Sequence, residues 1–174
     1  MEIYTESPGM NNAQEWYAVQ TRPNAEMLVG HLLAMKGYEV FTPFAHNGGV
    51  RSSARRLRRA LFPGYTFCRS TEASSGLIVT TPAVVRILGF AGKPVAIADV
   101  EIRALQAMEN SLLPCQTCAW YERGSVVTVV NGPLANVTGV VVDNRPNRLV
   151  LSVTLLQRSV AVKLGPGTMI RPAG

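Results

Sequence analysis

The sequence predicts an α+β fold in two parts, a layered unit of strands and helices followed by a small all-β barrel. Three observations carry this. Strand-like runs alternate with amphipathic helical spacing from residue 15 to residue 110. The segment 111–123, SLLPCQTCAWYER, then breaks both periods at Pro114 and reads as a linker. After it, five β-branched runs follow one another in about 50 residues, separated by turn residues, which suits a small barrel.

The elements follow in order. EWYAVQT (15–21) is an aromatic and β-branched run closed by Arg22-Pro23, a strand. Asn24 suits an N-cap and Glu26 the positive end of a helix dipole. Met27, Leu28, His31, Leu32 and Met35 recur at helical spacing before Gly37, so they predict an amphipathic helix with these residues on its apolar face. His31 there is expected to pack rather than to do chemistry. YEVFTP (38–43) is a second strand, stopped by Pro43.

Residues 45–60 hold Gly48-Gly49, Ser52-Ser53 and the arginines with little apolar period, a basic loop. LFPGYTF (61–67) resumes a strand, and its Pro63-Gly64 belongs at an edge or bulge because proline cannot donate a ladder hydrogen bond. SSGLIVTT (74–81) is a short apolar segment read as a short helix, and AVVRILGF (83–90) is strand-like. Asp99 then caps a helix whose Ile102, Leu105 and Met108 share one face, with Ala104 and Ala107 on the adjoining one. The helices are expected to cover one face of the sheet.

Beyond the linker, VVTVV, NVTGVVVD, RLVLSVTLL, SVAVKL and TMIRP are the strand runs. Turn signals separate them at Asn131-Gly132-Pro133, Asn144 to Asn147, Gln157-Arg158 and Gly165-Pro166-Gly167. Barrel closure would remove the edges such strands otherwise expose. No helix is expected there, since Val, Thr and Ile lose rotamer freedom in helices.

Composition narrows the function. The chain has 174 residues, 47% of them hydrophobic, enough for a packed core. It holds no apolar run long enough to span a bilayer, and MEIYTESPGM lacks the regions of a signal peptide, so a soluble cytoplasmic protein is expected. The net charge of +6 is uneven: residues 123–174 carry six Lys/Arg against Asp143 alone, residues 1–122 eleven against ten acids. Within the front part Arg51, Arg55, Arg56, Arg58 and Arg59 fall inside nine residues with no acid. Such a run cannot be a salt-bridged face, and guanidinium matches phosphate, so it points to a polyanion.

Of three cysteines, Cys115 and Cys118 form a C-x-x-C with no second pair or His cluster nearby in sequence, which argues against a metal or redox centre. Cys68 reads as a buried small hydrophobe. Neither a cofactor nor a catalytic residue is expected.

GSVVTVVNGPL (124–134) followed by ANVTGVV resembles the KOW motif, with a turn at Gly132-Pro133, Gly139 at the expected distance, and Leu134 where that motif often has phenylalanine. WY (16–17), LFPGY (61–65), TPAVVRILGF (81–90) and the KOW segment stand in the order seen in the NusG family of transcription elongation factors, a resemblance that covers residues 15–174. RLVLSVTLLQRSVAVKL (148–164) is similar to the specialised RfaH-like and UpxY-like paralogues.

The resemblance implies an N-terminal NusG-type α/β sandwich over residues 13–110, an antiparallel sheet with helices that docks on RNA polymerase. It further implies a linker over 111–123 and an SH3-like KOW barrel over 124–174. Trp16, Phe62, Pro63, Gly64 and Tyr65 would form the patch that receives the clamp helices of the largest polymerase subunit, with Tyr17 in the core. Rings from neighbouring strands suit such an anchor, being apolar bodies with polar tips.

Ser74 and Ser75 align with polar residues shown to the other jaw of the polymerase cleft, although helix capping explains them as well. Arg51, Arg55, Arg56, Arg58 and Arg59 would project toward upstream DNA or the displaced non-template strand, through salt-dependent phosphate contact. Leu155, Leu156 and Arg158 occupy the barrel rim that such proteins offer to Rho or to a small-subunit ribosomal protein, with leucine in place of the family's aromatic residue. A monomer away from membranes is expected. The competing readings are an RNA-binding or ribosome-associated KOW module and a redox enzyme using Cys115 and Cys118.

Overall fold

The structure is a computed structural model and describes residues 13–45, 59–71, 75–118, 124–141 and 147–173. Its first sheet is built on β1 (Glu15–Thr21), whose burial runs almost unbroken along the strand. A strand apolar on both faces has to be covered on both, and it therefore takes the centre of a sheet.

Helix α1 (Glu26–Met35) follows, then β2 (Glu39–Phe41) and β3 (Tyr65–Ser70). The antiparallel β1–β3 ladder sets Trp16 opposite Arg69 and Gln20 opposite Tyr65. After α2 (Ser75–Val79), β4 (Val84–Ile87) pairs with the other side of β1. A small hairpin of β5 (Gly89–Phe90) and β6 (Lys93–Pro94) leads to β7 (Ala96–Ile97), which joins β1 opposite Trp16 and Tyr17. The sheet order is β2-β3-β1-β4. Helix α3 (Asp99–Ser111) closes this part. The sequence predicts the order strand, helix, strand, strand, short helix, strand, helix; the strand expected over 83–90 is divided between β4 and β5, and β6 and β7 are additions to it.

The helices do not all lie on one face, contrary to expectation. Alternation along β1 and β3 sends Val19 and Cys68 one way, where they bury with Val29 and Leu33 of α1 and Ile78 of α2. Trp16, Ala18 and Phe67 point the other way, into a cluster with Ile102, Leu105 and Met108 of α3. Both faces are apolar, so both receive helices.

Two helix details also differ. Helix α1 buries Glu26, Val29, Gly30 and Leu33, while Met27, Leu28, His31 and Met35 face outward. Gly30 explains the choice: a Cβ there would stand 3.1 Å from Thr42 Oγ1, so the bare backbone is what lets the helix lie close to the strands. The predicted caps also shift by one residue. Asn24 sits at φ +61 ahead of Ala25, and Asp99 is the first residue of α3, where it pairs with Arg103 at 3.5 Å. Asn tolerates the left-handed region, and Asp in a first turn favours the helix dipole.

The second part contains all five predicted strands: β9 (Ser125–Val129), β10 (Thr138–Val141), β11 (Arg148–Val153), β12 (Arg158–Lys163) and β13 (Ile170–Pro172). A single 3-10 turn, Thr154–Leu156, joins β11 to β12. Within the stretch read as a linker lies β8 (Cys115–Cys118), which pairs antiparallel with β12, Cys118 opposite Ser159 and Cys115 opposite Val162. The second sheet thus runs β13-β9-β10-β11-β12-β8. The class is α+β, helices on an antiparallel sheet followed by a β domain.

The two parts share a core. One buried cluster runs from Trp16 and Phe67 through Leu105 and Met108 to Leu151, Val153 and Val160. No described helix is long and apolar enough to cross a membrane.

Candidate functional site

The LFPGY stretch makes a tight turn immediately before β3. Tyr65 N–H donates to Phe62 O at 3.0 Å, Pro63 holds the second position and Gly64 the third, at φ +84. That is a type II turn, with proline supplying its fixed φ and glycine the positive one. Two anchors fix it: Gly64 N–H donates to Glu26 Oε1 at 2.6 Å, and Gly64 O accepts from Thr21 N–H at 2.8 Å. Glu26 is only 7% exposed, so this charge-assisted bond satisfies a buried carboxylate while binding the turn to the start of α1.

The turn divides the predicted docking residues by depth. Phe62 is fully buried, edge-on to Phe67 at 5.5 Å, and Phe41 stacks on Phe67 at 6.2 Å. Trp16 is buried on the same face. Tyr65 is half-buried and Pro63 exposed. Tyr17 is in the core as expected, with its hydroxyl donating to Glu15 at 3.2 Å.

The barrel lies against this face. The Arg158 guanidinium sits over the Tyr65 ring, 5.2 Å from its centroid, and Arg158 Nη1 donates to Pro63 O at 3.0 Å. Thr154 N–H and Oγ1 both donate to the Glu101 carboxylate, the hydroxyl at 2.6 Å. Leu155 and Leu156 are half-buried against the shared core. The aromatic patch and the barrel rim, whose relation the sequence leaves open, are therefore in contact. Glu101 and Thr154, which complete the arrangement, were not singled out from the sequence, and Glu26 was marked only as a first-turn acid; their partners lie 38 to 53 residues away, and no local period signals them.

In the KOW segment Gly132 and Gly139 do different work. Gly132 takes φ +79 in the turn, and Ala135 N–H donates to its carbonyl at 3.1 Å. Gly139 makes room instead: a Cβ would lie 2.7 Å from Val150 O and 2.9 Å from the Leu149 and Leu151 side chains. Leu134, 1% exposed, is buried in the shared core.

Arg51, Arg55, Arg56, Arg58 and Ser74 lie outside the described residues. Arg59 is exposed, and its carbonyl accepts from Ala45 N–H at 2.9 Å beside the Phe44–Ala60 bridge. Ser75 opens α2 and is half-buried.

Cys68 is fully buried, and burial pushes its thiol up to about 12. Cys115 and Cys118 stand on one extended strand, so their Cα atoms are about 10 Å apart, beyond the reach of about 7 Å that a disulfide allows. Among the described residues no group of three or more His, Cys, Asp or Glu could hold a metal ion.

Residues 14–106 match the family model described as NusG, transcription termination factor. The chain is 32% identical to the transcription termination/antitermination protein NusG of Vibrio vulnificus over 87% of its own length and 92% of that protein's. It is 29% identical to the Helicobacter pylori J99 protein of the same name over 86% and 94%. Among solved structures, one of domain interaction in Thermotoga maritima NusG superposes with a TM-score of 0.50, at 23% identity, covering 87% of this chain and 93% of that one. This last likeness concerns the fold.

Proposed function

Because the chain belongs to the NusG family of transcription termination and antitermination factors, we propose that it is a non-enzymatic elongation factor that binds RNA polymerase through the Trp16–Phe62–Tyr65 face. On this reading it bridges the polymerase cleft in the cytoplasm as a monomer, with the clamp helices of the largest subunit on that face and Ser74 and Ser75 toward the opposite jaw. The loop of Arg51, Arg55, Arg56, Arg58 and Arg59 contacts upstream or non-template DNA through phosphates. Bridging shifts polymerase from its paused toward its active conformation by the factor's differential affinity for the two. The likeness of residues 148–164 to specialised paralogues supports action on particular operons.

The observation that carries the reading is the FPGY turn. A proline-glycine turn clamped by a buried glutamate is an expensive way to end a loop, and it presents Tyr65 and Pro63 at the margin of an aromatic cluster. The barrel rests on that margin, so docking there requires the barrel to move off. Apparent affinity for polymerase then falls by the fraction of molecules that are open. The same opening exposes Leu155, Leu156 and Arg158 to Rho or a ribosomal protein.

The test is single-round transcription across a pause site and a terminator at two salt concentrations. Tyr65→Ala is the informative variant, since Phe62→Ala would also open a core cavity costing about 3–5 kcal/mol. Faster pause escape with the unaltered chain and loss of the effect with Tyr65→Ala supports docking. A second reading, an RNA-binding or ribosome-associated module, is favoured by the basic last third of the chain. RNA binding with no effect on transcription would select it.

A further inference from the structure

We propose that the Tyr65 ring face and the Pro63 carbonyl form a guanidinium-binding subsite, filled within the chain by Arg158, and that a partner displacing the barrel places an arginine of its own there. The inference rests on the docking reading above and deepens it by naming the chemistry of the partner.

The subsite is a product of the turn. Its backbone groups are committed in sequence: Phe62 O to Tyr65 N–H, Gly64 N–H to Glu26, and Gly64 O to Thr21 N–H. Pro63 has no N–H to offer, and its carbonyl lies outside the turn's own hydrogen bond, where Arg158 Nη1 meets it at 3.0 Å. Tyr65 opens β3 opposite Gln20, so its backbone and the Pro63 carbonyl two residues before it keep a fixed relation, and the ring face lies beside that carbonyl under Arg158. A π face beside a carbonyl oxygen suits a planar delocalised cation that stacks with its face and donates with its edge. An ammonium, compact and strongly hydrated, meets one of these demands at a time.

The internal occupant is equally well placed. Arg158 starts β12 directly after Gln157, whose left-handed φ of +51 lies in the reversal from β11 into the antiparallel β12. The ion pairs among the described residues, Arg69–Glu39 and Arg103–Asp99, do not involve it. Among the described residues, ring and carbonyl thus hold Arg158 without a carboxylate. Leu155 and Leu156 just before it pack on the shared core, so the occupant reads as two aliphatic residues, a spacer and an arginine. A partner helix with an arginine next to aliphatic side chains offers the same groups.

The experiment uses the full chain carrying Arg158→Ala, an exposed position whose loss leaves the core intact. The Gly64 and Tyr65 amide and Tyr65 ring resonances are followed by NMR while the capped peptides acetyl-Leu-Leu-Gln-Arg-amide and acetyl-Leu-Leu-Gln-Lys-amide are titrated in. The arginine peptide is expected to shift them saturably, with an affinity about threefold or more above the lysine peptide. Adding Tyr65→Leu should abolish the difference. Equal response to both peptides, or a preference that survives Tyr65→Leu, overturns the subsite. Polymerase binding is measured on the same proteins. Arginine selectivity without polymerase binding by any variant would retain the subsite and remove the docking reading. Polymerase binding that depends on Tyr65, together with equal peptide response, would do the reverse.

Discussion

Glu26 shows how much a single residue can carry. In the sequence it is an acid in a first turn, fit for the helix dipole; in the structure it also accepts from Gly64 N–H and so supports the FPGY turn. Glu26→Ala should lower stability by about 1–3 kcal/mol, the cost of leaving a buried donor unpaired, and should broaden or move the Gly64 and Tyr65 amide signals. Thermal melts and an NMR spectrum check both. Gly64→Ala should add about 1–2 kcal/mol of strain through its φ of +84, with nothing near enough to clash. Cys68 makes the pH prediction. Burial holds its thiol protonated in the fold up to about 12, whereas once unfolded it ionises near its ordinary value of 9.0. The stability tied to this difference is complete below pH 9 and is lost as pH rises toward 12. Iodoacetamide at pH 8 should therefore leave Cys68 unmodified in the native chain and alkylate it in urea, which peptide mass spectrometry reads directly.

Among the elements, β8 and α1 depart furthest from their sequence signals. CQTC carries only one β-branched residue and follows a proline, so nothing local marks it as a strand; it becomes one because β12 offers an open edge beside Phe44 and the shared core. The C-x-x-C spacing follows from this placement, and three residues of extended chain keep the sulfurs apart. Replacing Cys115 and Cys118 with serine should leave transcription activity within about twofold while lowering stability modestly, because Cys115 is buried. Helix α1 carries apolar residues on more than one side, so spacing admits several inward faces, and Gly30 settles which one meets the sheet. The KOW glycine gives a sharper test. Gly139→Ala drives a methyl to within 2.7 Å of a backbone carbonyl on β11 and should cost about 1–3 kcal/mol through overpacking, measurable by urea denaturation.

For the whole molecule the consequence is cooperativity. One apolar cluster joins α3 and the first sheet to β11 and β12, and Thr154–Glu101 and Arg158–Tyr65 fasten its margin. Heating should unfold both parts in one transition, while Glu101→Ala with Arg158→Ala should split it or raise the mobility of the barrel, seen by calorimetry and by relaxation of backbone amides. The sequence by itself determined the class, the order of the main elements and the five barrel strands, because hydrophobic period, turn residues and β-branching act over a few neighbours and survive in a linear reading. It also marked FPGY and Gly132, whose demands are local, and Gly139 through the spacing of the KOW motif. Only the tertiary structure decided that helices cover both sheet faces, that Glu26 holds the turn, that β8 extends the second sheet, and that the barrel rim lies on the aromatic face. Each of these depends on which of several apolar surfaces meets which across tens of residues, and that choice is made by fit in three dimensions.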